Sequence, residues 1–402
     1  MSCPLSILGW SRGNPERCWR FHPFGDTSSR LVHAQGCRTA TGLKGSNWSW
    51  TIIPFPSPRR SAMPNLTDPE PQALALGIIG RYLTRRRVLV GVAAIGAVGG
   101  GAGRLAFDRA LHRAQRRLTG KSDVGQTRFG QLEYAIRGSN PDILMIHGTG
   151  RGFDQGLDMS APLIANGYRV IAPSRFGYLC SDFPEDPSLE NQADALAELL
   201  DRLGIARIAV AGGSAGALSA VQFALRHPDR CSALVLLIPA ANVQGRDPVE
   251  MTPAHKFLVE LELGSDALFW GMRELTPRRL VETLLATDPA LLDHVRESER
   301  ERAFRILDGM LPVSRRRREL LNDAHLAGAA HSVDYGAIQA PTFLLSLEDD
   351  RFGTAATARH LATRVPEAQL VILPQGGHVW LGAEDQVFGR IDAFLKRAAI
   401  RR

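Results

Sequence analysis

Ile205-Ala206-Arg207-Ile208-Ala209-Val210-Ala211-Gly212-Gly213-Ser214-Ala215-Gly216-Ala217-Leu218 is the stretch whose reading decides the fold. An apolar run of strand length, Ile205–Ala211, stops at a pair of glycines, and a helix-like segment opens just after Ser214. A strand-to-helix turn this tight strains the serine backbone and leaves no room for side chains at 212 and 216. That strain lifts the hydroxyl clear of the sheet, as a nucleophile requires. Glycine and serine also fill ordinary turns, so the pattern gains meaning only from partners elsewhere in the chain.

A serine hydroxyl is a poor nucleophile at neutral pH and needs a general base, itself oriented by a carboxylate. Pro341-Thr342-Phe343-Leu344-Leu345-Ser346-Leu347 reads as a buried strand and runs into Glu348-Asp349-Asp350-Arg351. A second apolar strand, Gln369–Leu373, leads to Pro374-Gln375-Gly376-Gly377-His378. Each candidate thus sits just past the carboxyl end of a strand, where ligands collect in open α/β sheets. The expected base is His378. Glu348 and Asp349 read as solvated loop carboxylates.

Acyl transfer also needs backbone amides aimed at the oxygen that becomes negative. Asp142-Ile143-Leu144-Met145-Ile146 reads as a strand ending in His147-Gly148-Thr149-Gly150. The amides of Thr149 and of Ala215 are the expected donor pair, with Gly148 allowing the loop a close approach. His147 reads as a brace for that loop, since a base must reach the serine proton and His378 is better placed to do so.

From about Gln126 to the C-terminus, the motifs His147-Gly148-Thr149-Gly150, Gly212-Gly213-Ser214-Ala215-Gly216, Leu347–Phe352 and Gly376-Gly377-His378 occur in the order and spacing of the α/β-hydrolase fold family. The chain resembles the capped, esterase-like and meta-cleavage-product-hydrolase-like branch of that family. Tyr168–Tyr178 resembles its fourth strand and following loop. The resemblance implies a catalytic acid at Asp350, with Asp349 as the alternative, and a Ser214, His378, Asp350 triad. It implies no cofactor or metal. Gly148-Thr149-Gly150-Arg151-Gly152 lacks the Gly-x-Gly-x-x-Gly spacing of dinucleotide sites. Ala215 stands where proline iminopeptidases carry tryptophan. Arg151 departs from meta-cleavage hydrolases, which usually have a small residue or proline there. The expected function is hydrolysis of a small carboxylic ester through an acyl-enzyme. The alternatives are C–C bond hydrolysis of the meta-cleavage type and a catalytically silent, membrane-tethered binding protein of the same fold.

Short β-rich runs alternating with helical segments predict a doubly wound, mostly parallel α/β sheet. Asp186-Pro187-Ser188 reads as the cap of a helix carrying Leu189, Ala193, Leu196, Leu200 and Leu203 at helical spacing, ended by Gly204. Core segments are expected over 126–240 and 341–402. Between them, 241–340 reads as a helical cap, with Phe257, Leu258, Phe269, Trp270, Met272 and Met310 as candidates to line a substrate pocket.

The chain has 402 residues, and its formal net charge of +7 raises the possibility of an anionic partner. The arginines are dispersed, without aromatic interleaving or a recognisable motif, which argues against nucleic acid. The run Arg315–Arg318 reads as a solvated helix face. Residues 1–62 hold three cysteines and four tryptophans without sustained periodicity, and read as a disordered or mis-annotated extension before Met63. Within 63–125, Thr84-Arg85-Arg86-Arg87 precedes an apolar run, Val88–Gly103, that resembles a twin-arginine signal or an uncleaved anchor. That segment predicts membrane association or export, with a cytoplasmic location as the alternative. Thr119–Gly125 reads as a linker, and a chain starting at Gln126 is expected to be soluble and active. Oligomeric state is not legible.

Overall fold

The computed structural model describes residues 100–241, 264–328 and 332–400. Eight strands form one sheet: β1 (Asp123–Thr127), β2 (Gly130–Arg137), β3 (Asp142–Ile146), β4 (Arg169–Pro173), β5 (Ile208–Gly213), β6 (Cys231–Leu237), β7 (Thr342–Leu347) and β8 (Gln369–Leu373), in the order β1-β2-β4-β3-β5-β6-β7-β8. β1 and β2 form an antiparallel hairpin, and β2 joins β4 antiparallel. Every other pairing is parallel. The central strands β6 and β7 are buried along their whole length. Such uninterrupted apolar strands can pair in parallel only because helices cover both faces. Ile146 pairs with Gly212, Gly213 with Leu237, and Leu347 with Leu373. The loops that follow β3, β5, β7 and β8 therefore leave the sheet from one edge.

On one face lie helices Leu189–Arg202 and Gly216–Arg226. The first begins at Ser188, whose side chain accepts the Asn191 amide, and buries Leu189, Ala193, Leu196 and Leu200 as their spacing predicts. Helices Phe153–Met159, Ala161–Ala165 and Glu384–Ile400 cover the other face.

Between β6 and β7 the described residues contain helices and no strand: Asp266–Leu275, Pro277–Thr283, Glu297–Gly309 and Arg317–Gly328. Phe269, Leu280, Val281, Leu292, Ala303, Leu307 and Val313 form the apolar centre of this insertion. Phe269 is therefore part of its core and does not line a pocket. Trp270 and Met272 pack against the same cluster. Phe257 and Leu258 lie outside the described residues.

A helix over residues 100–118 buries Ala114 in the insertion's cluster and Leu118 in the cluster on the sheet. The Phe107 ring lies 5.7 Å from that of Trp270. Arg117 donates to the carbonyls of Asp308 (3.2 Å) and Gly309 (3.0 Å). Strand pairing begins at Asp123, so the expected linker over Thr119–Gly125 is half strand, and the core starts before Gln126. No helix among the described residues is long and apolar enough to cross a membrane. The extension 1–62 and the segment Thr84–Gly99 lie outside the described residues.

The packing of helix 100–118 adds a stability cost to the expectation that a chain starting at Gln126 is soluble and active. Relative to a chain starting at residue 100, it gives up the burial of Ala110, Ala114 and Leu118, worth roughly 3–5 kcal/mol. Its melting temperature is expected to be about 5–10 °C lower. Equal melting temperatures for the two chains in calorimetry would show that the helix contributes nothing.

Candidate active site

Ser214 follows the last residue of β5 and has φ of 50°. Its amide donates to Leu237 O (2.9 Å), and its carbonyl accepts from the amides of Ala217 (3.0 Å) and Ala240 (3.1 Å). A Cβ at Gly212 would lie 2.6 Å from the Gly216 carbonyl oxygen, and one at Gly216 would press on the backbone of Ile146 and His147. Both glycines are thus required by close backbone approach, as the sequence implies.

The structure brings Ser214, His378 and Asp350 together. His378 Nε2 lies 3.0 Å from Ser214 Oγ, and Nδ1 lies 2.8 Å from Asp350 Oδ2. The second carboxylate oxygen of Asp350 accepts the Phe352 amide at 2.9 Å, and Oδ2 also accepts the Thr354 hydroxyl. Burial pushes the Asp350 carboxyl up. The His378 ring and these hydrogen bonds outweigh it and hold the group below the usual carboxylate range. The Phe352 ring stands edge-on to His378 at 4.8 Å, itself 47% exposed.

Asp349 is neither the partner of His378 nor a solvated carboxylate. It accepts the amides of Gly376 (3.0 Å) and Gly377 (2.9 Å), pinning the loop that carries His378. On the other side of that loop, the buried Thr287 accepts the His378 amide at 2.9 Å. Sequence reading missed both roles. Only Gly376-Gly377 hinted at them, as a turn whose free amides need acceptors. Glu348 pairs on the surface with Arg359.

The Gly148 backbone reaches the turn at Ser214: a Cβ there would lie 3.2 Å from Ser214 Cβ. Among the described residues, the amides of Thr149 and Ala215 donate to no protein backbone acceptor. His147 is fully buried. Its Nδ1 bonds the Gly148 carbonyl (2.6 Å), and Nε2 accepts the Arg175 amide (2.9 Å). These partners fix a neutral ring protonated on Nδ1. Burial, then the charge of Arg175, lowers its pKa to about 3.

The loop is also held from the insertion. Arg175 donates to Asp323 through both terminal nitrogens at 2.6 Å, and Asp323 accepts the hydroxyls of Tyr178 (2.7 Å) and Thr149 (2.9 Å). Arg316, expected on a solvated face, is 2% exposed and donates to the carbonyls of Gly150 (2.8 Å) and Gly309 (2.6 Å). Its neighbours Arg315 and Arg318 are exposed, as the solvated-face reading expects of them. Burial lowers the pKa of Arg316 to about 10. Arg151 is buried against Asp154 and Asp158, both at 2.7 Å. Met310 reaches the loop: a Cβ at Gly150 would lie 3.2 Å from its Cε.

An eight-stranded sheet with a serine at the β5 turn, an acid after β7 and a histidine after β8 defines an α/β hydrolase. Comparison with known proteins agrees. The alpha/beta hydrolase fold family matches residues 141–382, more than half of the chain. The chain belongs to this family and is a hydrolase. It is 30% identical over 264 residues to a 2-hydroxy-6-oxononadienedioate/2-hydroxy-6-oxononatrienedioate hydrolase of Paraburkholderia xenovorans, covering 62% of this chain and 84% of that protein. It is 26% identical over 251 residues to a 2-hydroxy-6-oxo-6-phenylhexa-2,4-dienoate hydrolase of Burkholderia cepacia, covering 60% and 82%. Among solved structures, an alpha/beta hydrolase fold protein from Nakamurella multipartita superposes with a TM-score of 0.56 at 26% identity, covering 69% of this chain and 99% of that one.

His147 gives the site a pH signature. Its folded pKa of about 3 lies below its ordinary value of 6.5, so between those values the unfolded chain binds the extra proton. Its contribution to stability is complete above pH 6.5 and is lost progressively as pH falls towards 3. The melting temperature is expected to drop between about pH 7 and 5, and to drop less in His147→Asn, which cannot titrate. Parallel profiles for the two proteins would assign the slope to another group.

Proposed function

We propose that the protein is a serine hydrolase that cleaves a small carboxylic ester through an acyl-enzyme on Ser214. The observation that carries this reading is the position of one imidazole, His378, within hydrogen-bond distance of both Ser214 Oγ and Asp350. In the proposed reaction, Ser214 Oγ attacks the acyl carbon while its proton passes to His378 Nε2. Asp350 holds the ring in the tautomer that can accept that proton and stabilises the imidazolium. The amides of Thr149 and Ala215 receive the oxyanion. His378 returns the proton to the departing alcohol, then takes one from the water that releases the acid.

A second reading is C–C bond hydrolysis, favoured by the names of the relatives in Paraburkholderia xenovorans and Burkholderia cepacia. The departing group would then be a carbon centre, with the same residues at work. Turnover of p-nitrophenyl esters against turnover of 2-hydroxy-6-oxo-dienoates separates the two. The substrate in either case is a small molecule.

A fluorophosphonate is expected to label Ser214 stoichiometrically, with Ser214→Ala abolishing both the label and turnover by roughly 10³ to 10⁶. Asp350→Asn should keep the fold and lose roughly 10³ to 10⁴ in kcat. Asp349→Asn, which keeps one acceptor for the Gly376 and Gly377 amides, should cost about tenfold. A folded protein that resists labelling would favour the silent binding reading, and an inactive Asp349→Asn beside an active Asp350→Asn would reverse the assignment of the acid.

We further propose that Thr84–Gly103 directs the enzyme to the exported side of a membrane, on the strength of Arg85-Arg86 before the apolar run. Fractionation should find activity with membranes, and replacing both arginines by lysine should retain it inside the cell. Soluble recovery of the unaltered chain from the cytoplasm would overturn this.

A further inference from the structure

We propose that Asp323 and Arg316, both from the helical insertion, are positioning residues that aim the Thr149 amide, so that the oxyanion loop is complete only when the insertion is docked. This rests on the serine-hydrolase reading above. The key unit is the peptide that joins Gly148 to Thr149. A trans peptide is planar, so its N–H points opposite to its C=O, and whatever fixes the carbonyl also fixes the amide.

The Gly148 carbonyl accepts two hydrogen bonds, from His147 Nδ1 at 2.6 Å and from Arg175 Nη2 at 3.0 Å. The Arg175 guanidinium is in turn fixed by Asp323, which is 4% exposed and takes both of its terminal nitrogens. Burial works against the charged form of Arg175, and Asp323 outweighs it, keeping the pKa raised. A positive charge on the carbonyl end also polarises the peptide, making the Thr149 N–H a stronger donor.

The next two peptides are held as well. Tyr178 accepts the Gly150 amide at 3.3 Å and donates to Asp323. Arg316 takes the Gly150 carbonyl. The Thr149 hydroxyl itself ends on Asp323. His147, Gly148, Thr149 and Gly150 are thus each tied down, and Arg316 and Asp323, which hold them by hydrogen bonds from the insertion, lie within the eight-residue span 316–323.

A buried ion pair gives little net stability against apolar residues of the same volume, because desolvation offsets the attraction. Its use here is geometric. Misplacement of a donor by a fraction of an ångström weakens the transition state more than substrate binding.

The test compares the full-length protein with Thr149→Val, Asp323→Asn and Arg316→Met. Thr149→Val keeps shape and amide while removing only the hydroxyl, so it reports even if Asp323→Asn fails to fold. Three quantities are measured: hydrogen exchange of the loop at 143–155, kcat and KM on a p-nitrophenyl ester, and affinity for a trifluoromethyl ketone, whose adduct carries an oxyanion, against the unreactive product acid. Thr149→Val and Arg316→Met should lower kcat and ketone affinity in parallel by about tenfold, and Asp323→Asn by about a hundredfold. KM and product affinity should stay within about twofold and loop exchange should speed up. Arg316→Lys, which retains one charged donor nitrogen, should recover part of the loss. Ser214→Ala should remove turnover and leave loop exchange unaltered. An inert wild-type protein would overturn the serine reading and the oxyanion role with it. Unaltered exchange in folded variants, or equal losses of ketone and product affinity, would overturn the positioning itself.

Discussion

A serine held at φ of 50° between a buried strand and a buried helix is under strain, of about 1–3 kcal/mol. It stays there because the surroundings leave it no alternative. Its amide and carbonyl continue the hydrogen bonding of the sheet to Leu237 and Ala240. The helix that follows is pressed so closely on β3 and β5 that positions 212 and 216 admit only glycine. The tight turn puts the Ser214 hydroxyl within reach of His378 and the Ala215 amide at the start of a helix, where the helix dipole favours negative charge. The loops from β3, β7 and β8 then need only converge on that one point, which the parallel pairing of the sheet arranges.

Local chemistry was legible, and long-range partnership was legible only where the family resemblance supplied it. The strands, the turn at Ser214 and the loop at His147 follow from residues close in the chain, whereas grouping Asp350 and His378 with Ser214 came from the resemblance. The adjacent carboxylates Asp349 and Asp350 illustrate the limit. Both are used, one on the amides of Gly376 and Gly377 and the other on the His378 ring, and choosing between them needs the direction of each side chain. The arginine run at 315–318 shows the same limit. Four identical residues carry no signal as to which one turns inward, and arginine is so rarely buried that the solvated reading was the natural one. Asp323 lies 148 residues from Arg175. A carboxylate on a polar helix looks the same whether it meets water or a buried guanidinium.

Those buried charges explain how a helical insertion can sit over the loops around Ser214 without disturbing them. Apolar contact alone, as between Met310 and Gly150, is non-directional and would let the loop at 147–150 adopt several poses of similar energy. The hydrogen bonds that Arg316 donates and Asp323 accepts are directional, and leaving them unmade strands a charge away from water. The cost of the wrong pose is therefore steep even though the net gain from the right one is small. Thr287 applies the same logic at the far side of the site, where it joins the insertion to the His378 amide. The insertion thus does two separable things. Its apolar interior makes it a stable body, and a few of its polar side chains hydrogen-bond the loop at 147–150 and the loop that carries His378. Substitutions in that interior can alter the shape presented to a substrate, and among the described residues polar contacts such as those of Arg316, Asp323, Thr287 and Arg302 tie such changes to the loops around Ser214.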